Sequence, residues 1–122
     1  MNKKSPFKRI STLALCKRKI SLLKRLRIPS HLVRASLVEQ YLKCGKPSCR
    51  CAQGQKHGPF YYLTRCRGVG LVQRFLLKSA EQQNEARRGI KAYNEFQTLL
   101  EELYQINSEL LRRAEPLHST AR

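Results

Sequence analysis

The chain has 122 residues, with 25 Lys and Arg against 8 acids, no Asp and no Trp. A hydrophobic content of 41% is too high for a fully disordered chain, and 7% aromatics predicts a thin, aliphatic core. These figures exclude a multidomain enzyme with a deep pocket, and they make a metal ion or a partner subunit an expected source of stability. The charge is uneven. Residues 1–78 hold a single acid, Glu39, and a net charge of +18, whereas residues 79–122 sum to −1. A field of this kind attracts polyanions and repels a second copy of itself.

Residues 1–9 read as a disordered basic tail. Over 10–27, Ile10, Leu13, Cys16, Ile20 and Leu23 recur near helical spacing among Lys17, Arg18, Lys19, Lys24 and Arg25. This predicts a basic amphipathic helix, closed by Pro29. It could cover a core, dock on nucleic acid or lie on an anionic membrane surface. Leu13-Ala14-Leu15-Cys16 is too short an apolar stretch for a lipoprotein signal, and no apolar run approaches the roughly 20 residues of a spanning helix. The chain is therefore expected to be cytoplasmic, where an odd count of 5 cysteines points to metal binding over disulfides.

Residues 36–43 fit either a short helix or a strand, and the strand is preferred because breakers flank the run. Residues 59–66 and 71–77 are rich in β-branched, aromatic and aliphatic residues around a turn at Arg67-Gly68-Val69-Gly70. Together they predict a three-stranded antiparallel sheet, which is marginal without a helix or metal against it. From Ser79 to about Ala114 there is no Pro, and Gly89 is the lone Gly. Phe96, Leu99, Leu103, Ile106 and Leu110 form a seam of threes and fours. This is a long helix, with Ser79 as N-cap and Pro116 as its stop. Its seam is expected to meet the N-terminal helix, another copy, or both.

The chemical signal is Cys44-Gly45-Lys46-Pro47-Ser48-Cys49-Arg50-Cys51, followed by His57-Gly58-Pro59. Three thiols and an imidazole make a closed tetrahedral set for structural Zn2+, with no position left for water. Gly45 and Pro47 supply a turn that brings Cys44 back towards Cys49. The backbone at Cys49-Arg50-Cys51 is expected to curl around the ion. Lys43, Lys46, Arg50 and Lys56 would offset thiolate charge. His31 and Cys66 stand in reserve as fourth ligand should His57 be remote, Cys16 and Cys66 read as packing residues, and His118 as inert. A catalytic Cys with His57 as base is disfavoured, because Glu39 is the sole acid before residue 81.

Ser36 to Tyr41, Cys44 to Ala52 and His57 to Leu63 resemble a family of small uncharacterised bacterial proteins. Its members share a CGKPxCxCA…HGPYYYL signature and a following helix, matched here by Tyr93-Asn94-Glu95-Phe96 to Leu110. The resemblance covers roughly residues 34–112. It implies a domain of unknown function, with some members near transposase genes. The turn at 67–70 and the basic stretch before residue 30 depart from the pattern.

The resulting expectation is an α+β chain. Residues 1–30 form a basic tail and helix, 31–78 a zinc-ribbon-like domain, 79–115 a long coiled-coil-like helix and 116–122 a disordered tail. The expected function is non-enzymatic nucleic-acid binding, DNA before RNA, through Lys17, Arg18, Lys24, Arg25, Lys46, Arg50, Lys56, Arg65, Arg67 and Arg74, with Tyr61 or Tyr62 stacking on a base. The rival is an adaptor that pairs with itself or a recombinase through residues 79–115.

Overall fold

A computed structural model describes residues 6–118. The expected features at residues 1–5 and 119–122 lie outside the described residues. The element order is α1 (Thr12–Arg25), β1 (Ser36–Leu42), a short 3-10 turn (Arg50–Gln53), β2 (His57–Gly68), β3 (Leu71–Leu77) and α2 (Ala80–Arg112). The chain is therefore α+β, with an antiparallel sheet in the order β1-β2-β3. Two compact units divide it: residues 30–93, and residues 1–29 with 94–122.

In the unit of residues 30–93, the ambiguous 36–43 segment is a strand. Val38 lies opposite Tyr62, which lies opposite Leu76, and Leu37 opposite Leu63, which lies opposite Phe75. The tight Gly68–Gly70 link closes the β2–β3 hairpin, with both glycines at positive φ. One face of the sheet carries Tyr61, Leu63, Phe75 and the buried Leu77. Leu63 and Phe75 border a cavity of about 470 Å3 shared with Val33 and Tyr93. Arg87 of α2 lies over the Tyr61 ring, 5.2 Å from its centroid. Helix α2 starts with a reciprocal cap: Ser79 Oγ accepts from the Gln82 N–H (3.1 Å), and Gln82 Oε1 accepts from the N–H groups of Lys78 and Ser79 (2.8 and 3.3 Å). Gly89, the lone glycine of this helix, is explained by packing. A Cβ there would overlap the Val33 side chain, and the Gly89 carbonyl accepts from the Val33 N–H (3.0 Å).

In the other unit, Phe7, Leu15, Leu22, Ile106 and Leu110 form the core, with Ile10, Cys16, Leu26, Leu99, Leu103 and Leu117 packed against it. The seam residues Leu99, Leu103, Ile106 and Leu110 are thus used within the chain, while Phe96 is half-buried outside that cluster. The expected stripe of α1 is corrected. Leu15 and Leu22 face inward, whereas Leu13, Ile20 and Leu23 are exposed. The helix begins at Thr12, because Ser11 Oγ accepts from the Ala14 N–H (3.1 Å), and ends at Arg25, well before Pro29. Helix α2 also stops ahead of its proline. Ala114 adopts φ 58, and the Glu115 N–H donates to the Leu110 carbonyl (2.9 Å) while the Ala114 N–H donates to that of Leu111 (3.0 Å). This is a Schellman turn with alanine where glycine is usual.

One acid in this core was not expected. Glu109 is buried and accepts from Arg112 (2.5 Å) and Arg113 (2.7 Å). Arg113 also donates to Thr12 Oγ1 and to the carbonyls of Phe7 and Lys8, each at 3.1 Å, and so ties residues 7–12 to the end of α2. The two guanidiniums hold the Glu109 carboxyl down at about 2, against the upward push of burial.

A candidate metal centre

The loop between β1 and β2 gathers Cys44, Cys49, Cys51 and His57. A turn places the Cys49 N–H on the Lys46 carbonyl (3.1 Å), with Pro47 second in the turn. The Arg50–Gln53 3-10 turn follows at once, with bonds from Ala52 N–H to Cys49 O (3.1 Å) and Gly54 N–H to Cys51 O (3.2 Å). This is the expected curl of the backbone at Cys49-Arg50-Cys51, and it brings both thiols into the cluster. Gly45 and Gly54 take φ values of 85 and 112, which suit glycine. His57 opens β2, opposite Leu42, instead of preceding the strand.

The four ligand atoms all lie within 4.8 Å of one another. Cys44 Sγ is 3.4 Å from Cys51 Sγ, and Cys49 Sγ is 3.0 Å from His57 Nε2. Metal bonds of about 2.3 Å to sulfur and 2.0 Å to nitrogen give tetrahedral edges of about 3.8 Å between sulfurs and 3.5 Å between sulfur and nitrogen. The observed spacing brackets both edges, so these residues could hold a metal ion without rearranging the backbone. Cys51 is the buried member, at 1% exposure, and its sulfur accepts from the Cys44 N–H (3.2 Å). That N–H lowers the Cys51 thiol despite its burial. Cys44 is drawn down by the Lys46 N–H, but contact with Cys51, desolvation and Cys49 outweigh this and raise it. A backbone donor thus sets the direction at Cys51, whereas at Cys44 the neighbouring thiols and desolvation prevail.

The reserve ligands are elsewhere. Cys66 is exposed and donates to the Gly68 carbonyl (3.2 Å), and so is neither packing filler nor part of the cluster. His31 and His118 are exposed, and Cys16 packs in the core of the other unit. Glu39 accepts from the Tyr41 hydroxyl (3.0 Å).

Among the described residues, Lys17, Lys24, Arg25, Lys46, Arg50, Lys56, Arg65 and Arg67 are exposed, and their side chains make no hydrogen bond or ion pair. Arg18 differs: it pairs with Glu102 (3.0 Å) and lies over Phe7. Arg74 also differs. It lies over the Tyr62 ring, 4.1 Å from its centroid, and its guanidinium donates to Gln40 Oε1. Both tyrosines are half-buried, each beneath an arginine. Gln40 was missed by the sequence reading, and only the strand register that sets it beside Phe60, two residue pairs from Tyr62 and on the same face, would have revealed it.

A Cys3His loop capping a small antiparallel sheet defines a compact α+β domain with a potential metal centre. Residues 13–86 match the family model of a domain of unknown function, DUF6788, and the chain belongs to that family. The match includes α1, which the sequence resemblance left outside, and ends within the first part of α2. No curated protein and no solved structure matches the chain. Among the described residues, no helix is long and apolar enough to cross a membrane.

Proposed function

We propose that the chain is a zinc-stabilised, non-enzymatic module of the cytoplasm that binds nucleic acid, DNA before RNA, through its phosphates. In this reading the ion is zinc, held by Cys44, Cys49, Cys51 and His57 in a zinc-ribbon-like domain. The observation that carries it is the set of exposed, unpartnered cations, above all Lys46, Arg50 and Lys56 around the cysteine loop. Arginines and lysines with no acid to satisfy them are available to phosphate, where they fix position without reading sequence. Four protein ligands leave no coordination site for a reacting water, which favours a structural ion. An accessory role beside a transposase or recombinase fits the same charge.

The adaptor reading draws on the exposed Leu13, Ile20 and Leu23 of α1 and on Tyr104 and Leu111 of α2. The coiled-coil-like seam is already occupied by the chain's own core, which weakens pairing with a second copy or a recombinase through it.

Metal analysis with a gel shift over a salt series tests the proposal. One zinc per chain is expected. Engaging about six phosphates of duplex DNA gives a log–log salt slope of about −5. Replacing Lys17, Lys24 and Arg25 by Gln should flatten that slope and leave the zinc in place. Deleting the whole α1 segment would remove Leu15 and Leu22 from the core, so charge substitution is the cleaner probe. Metal-free protein of unchanged stability would overturn the zinc assignment. Absence of binding to any nucleic acid at low salt would favour the adaptor.

A further inference from the structure

The sheet has a second face, opposite the one that Arg87 of α2 covers at Tyr61. Strand alternation places Val38, Phe60, Tyr62, Val72 and Leu76 there, with Arg74. Val72 is 65% exposed, and no Asp or Glu occupies this face of the strands. Arg74 does not point away from the sheet as a phosphate contact would. It crosses β2 from β3, lies on the Tyr62 ring and is held at its edge by Gln40 of β1. The guanidinium thus has the Tyr62 ring on one side and Gln40 at its edge, while Arg74 remains exposed.

We propose that this face is a base-stacking platform for single-stranded nucleic acid, with a base laid on the Arg74–Tyr62 stack; this deepens, and rests on, the nucleic-acid reading above. A planar cation placed over an aromatic ring, on a face that also carries Val38, Val72 and Leu76, suits a planar π-system. A nucleobase is such a partner, and stacking on aromatic and guanidinium planes is a general mode of single-strand recognition. The net positive charge of the surrounding chain supplies the attraction for the strand's phosphates. A duplex keeps its base faces stacked inside and could not use this surface, whereas an unpaired strand exposes them. The absence of acids on the face removes the repulsion that a polyanion would otherwise meet.

Fluorescence anisotropy on the full, metal-loaded chain tests this. The probes are a labelled oligothymidylate and a hairpin duplex with the same number of phosphates. The single strand is expected to bind about tenfold tighter at equal salt. Tyr62→Ala would strip the middle of the sheet, so the informative variant is Arg74→Lys, which keeps the charge and loses the plane. It should weaken single-strand binding about tenfold, the size of one lost stacking contact, and leave duplex binding unchanged. Lys56→Gln should weaken both probes alike. A thymidylate probe with 2-aminopurine at its centre should be quenched on binding wild type more than on binding Arg74→Lys. Equal affinity for the two probes, or single-strand affinity untouched by Arg74→Lys, overturns the platform while leaving phosphate binding standing. No binding of either probe at low salt overturns both readings.

Discussion

Gly58 is where the sheet and the metal loop meet, and replacing it by alanine tests the reasoning most directly. Its φ is 142, and a Cβ at this position would sit 2.8 Å from the Gln40 carbonyl oxygen and 2.8 Å from Tyr41 Cδ1. Gly54 has a comparable φ of 112, yet a Cβ there meets nothing within 4 Å. Gly54→Ala therefore isolates the backbone cost, about 1–2 kcal/mol for an L-residue at positive φ. Gly58→Ala adds a steric term. Relieving a 2.8 Å contact needs a shift of about half an ångström between β1 and β2, and overpacking of this kind costs about 1–3 kcal/mol. The sum is about 2–5 kcal/mol for Gly58→Ala, against about 1–2 kcal/mol for Gly54→Ala. The displacement also reaches the adjacent residue, His57, so a metal held by the cluster should loosen. Urea unfolding gives the energies, and competition with a chromogenic chelator gives the metal affinity. Equal losses in the two variants, with metal affinity unchanged in Gly58→Ala, would refute the argument that close strand approach positions the histidine.

Three other outcomes are expected. The Glu109 carboxyl is held at about 2, below its ordinary value of 4.5, so its contribution to stability is complete above about pH 4.5 and is lost as pH falls towards 2. Acid titration by circular dichroism should show this step, and Glu109→Gln should remove it. Ala114→Gly relieves an αL alanine at the Schellman turn and should raise stability by about 1 kcal/mol in thermal or urea unfolding. Leu103→Glu places a charge against the Ile106–Leu110 core and should cost roughly 2 kcal/mol, read as a lowered melting temperature with sedimentation unchanged if the seam serves the chain itself.

The metal loop was legible because it is local. Its three cysteines and histidine fall within one turn and one strand start, so their clustering could be anticipated from sequence alone. The sheet was legible from breakers and alternation, apart from the bounds of β2, which reaches back to His57 and on to Gly68, into the expected turn. Helix α1 was half legible. Leu13, Ile20 and Leu23 keep helical spacing as well as Leu15 and Leu22 do, so periodicity offers two stripes and only packing against Ile106 and Leu110 selects one. Glu109 was opaque for a related reason. Arg112 and Arg113 read as ordinary cations at a helix end, and nothing local shows that they close over a buried carboxylate. Arg74 read as a phosphate contact, because its posture depends on Tyr62 and Gln40, two strands brought together only by the fold.

The unit built from both ends of the chain has a consequence for biosynthesis. Residues 30–93 are contiguous and can close on themselves as soon as they clear the ribosome. Helix α1 cannot. Leu15 and Leu22 emerge well before their partners Ile106 and Leu110. At roughly 5–20 residues per second the apolar face of α1 waits several seconds without its cover. During that interval the abundant lysines and arginines of the same helix keep nascent chains apart by mutual repulsion. The Lys19 Nζ bond to the Leu117 carbonyl (2.6 Å) and the Arg113 bonds to Phe7 and Lys8 each span about a hundred residues, and they form only once both distant segments have been made.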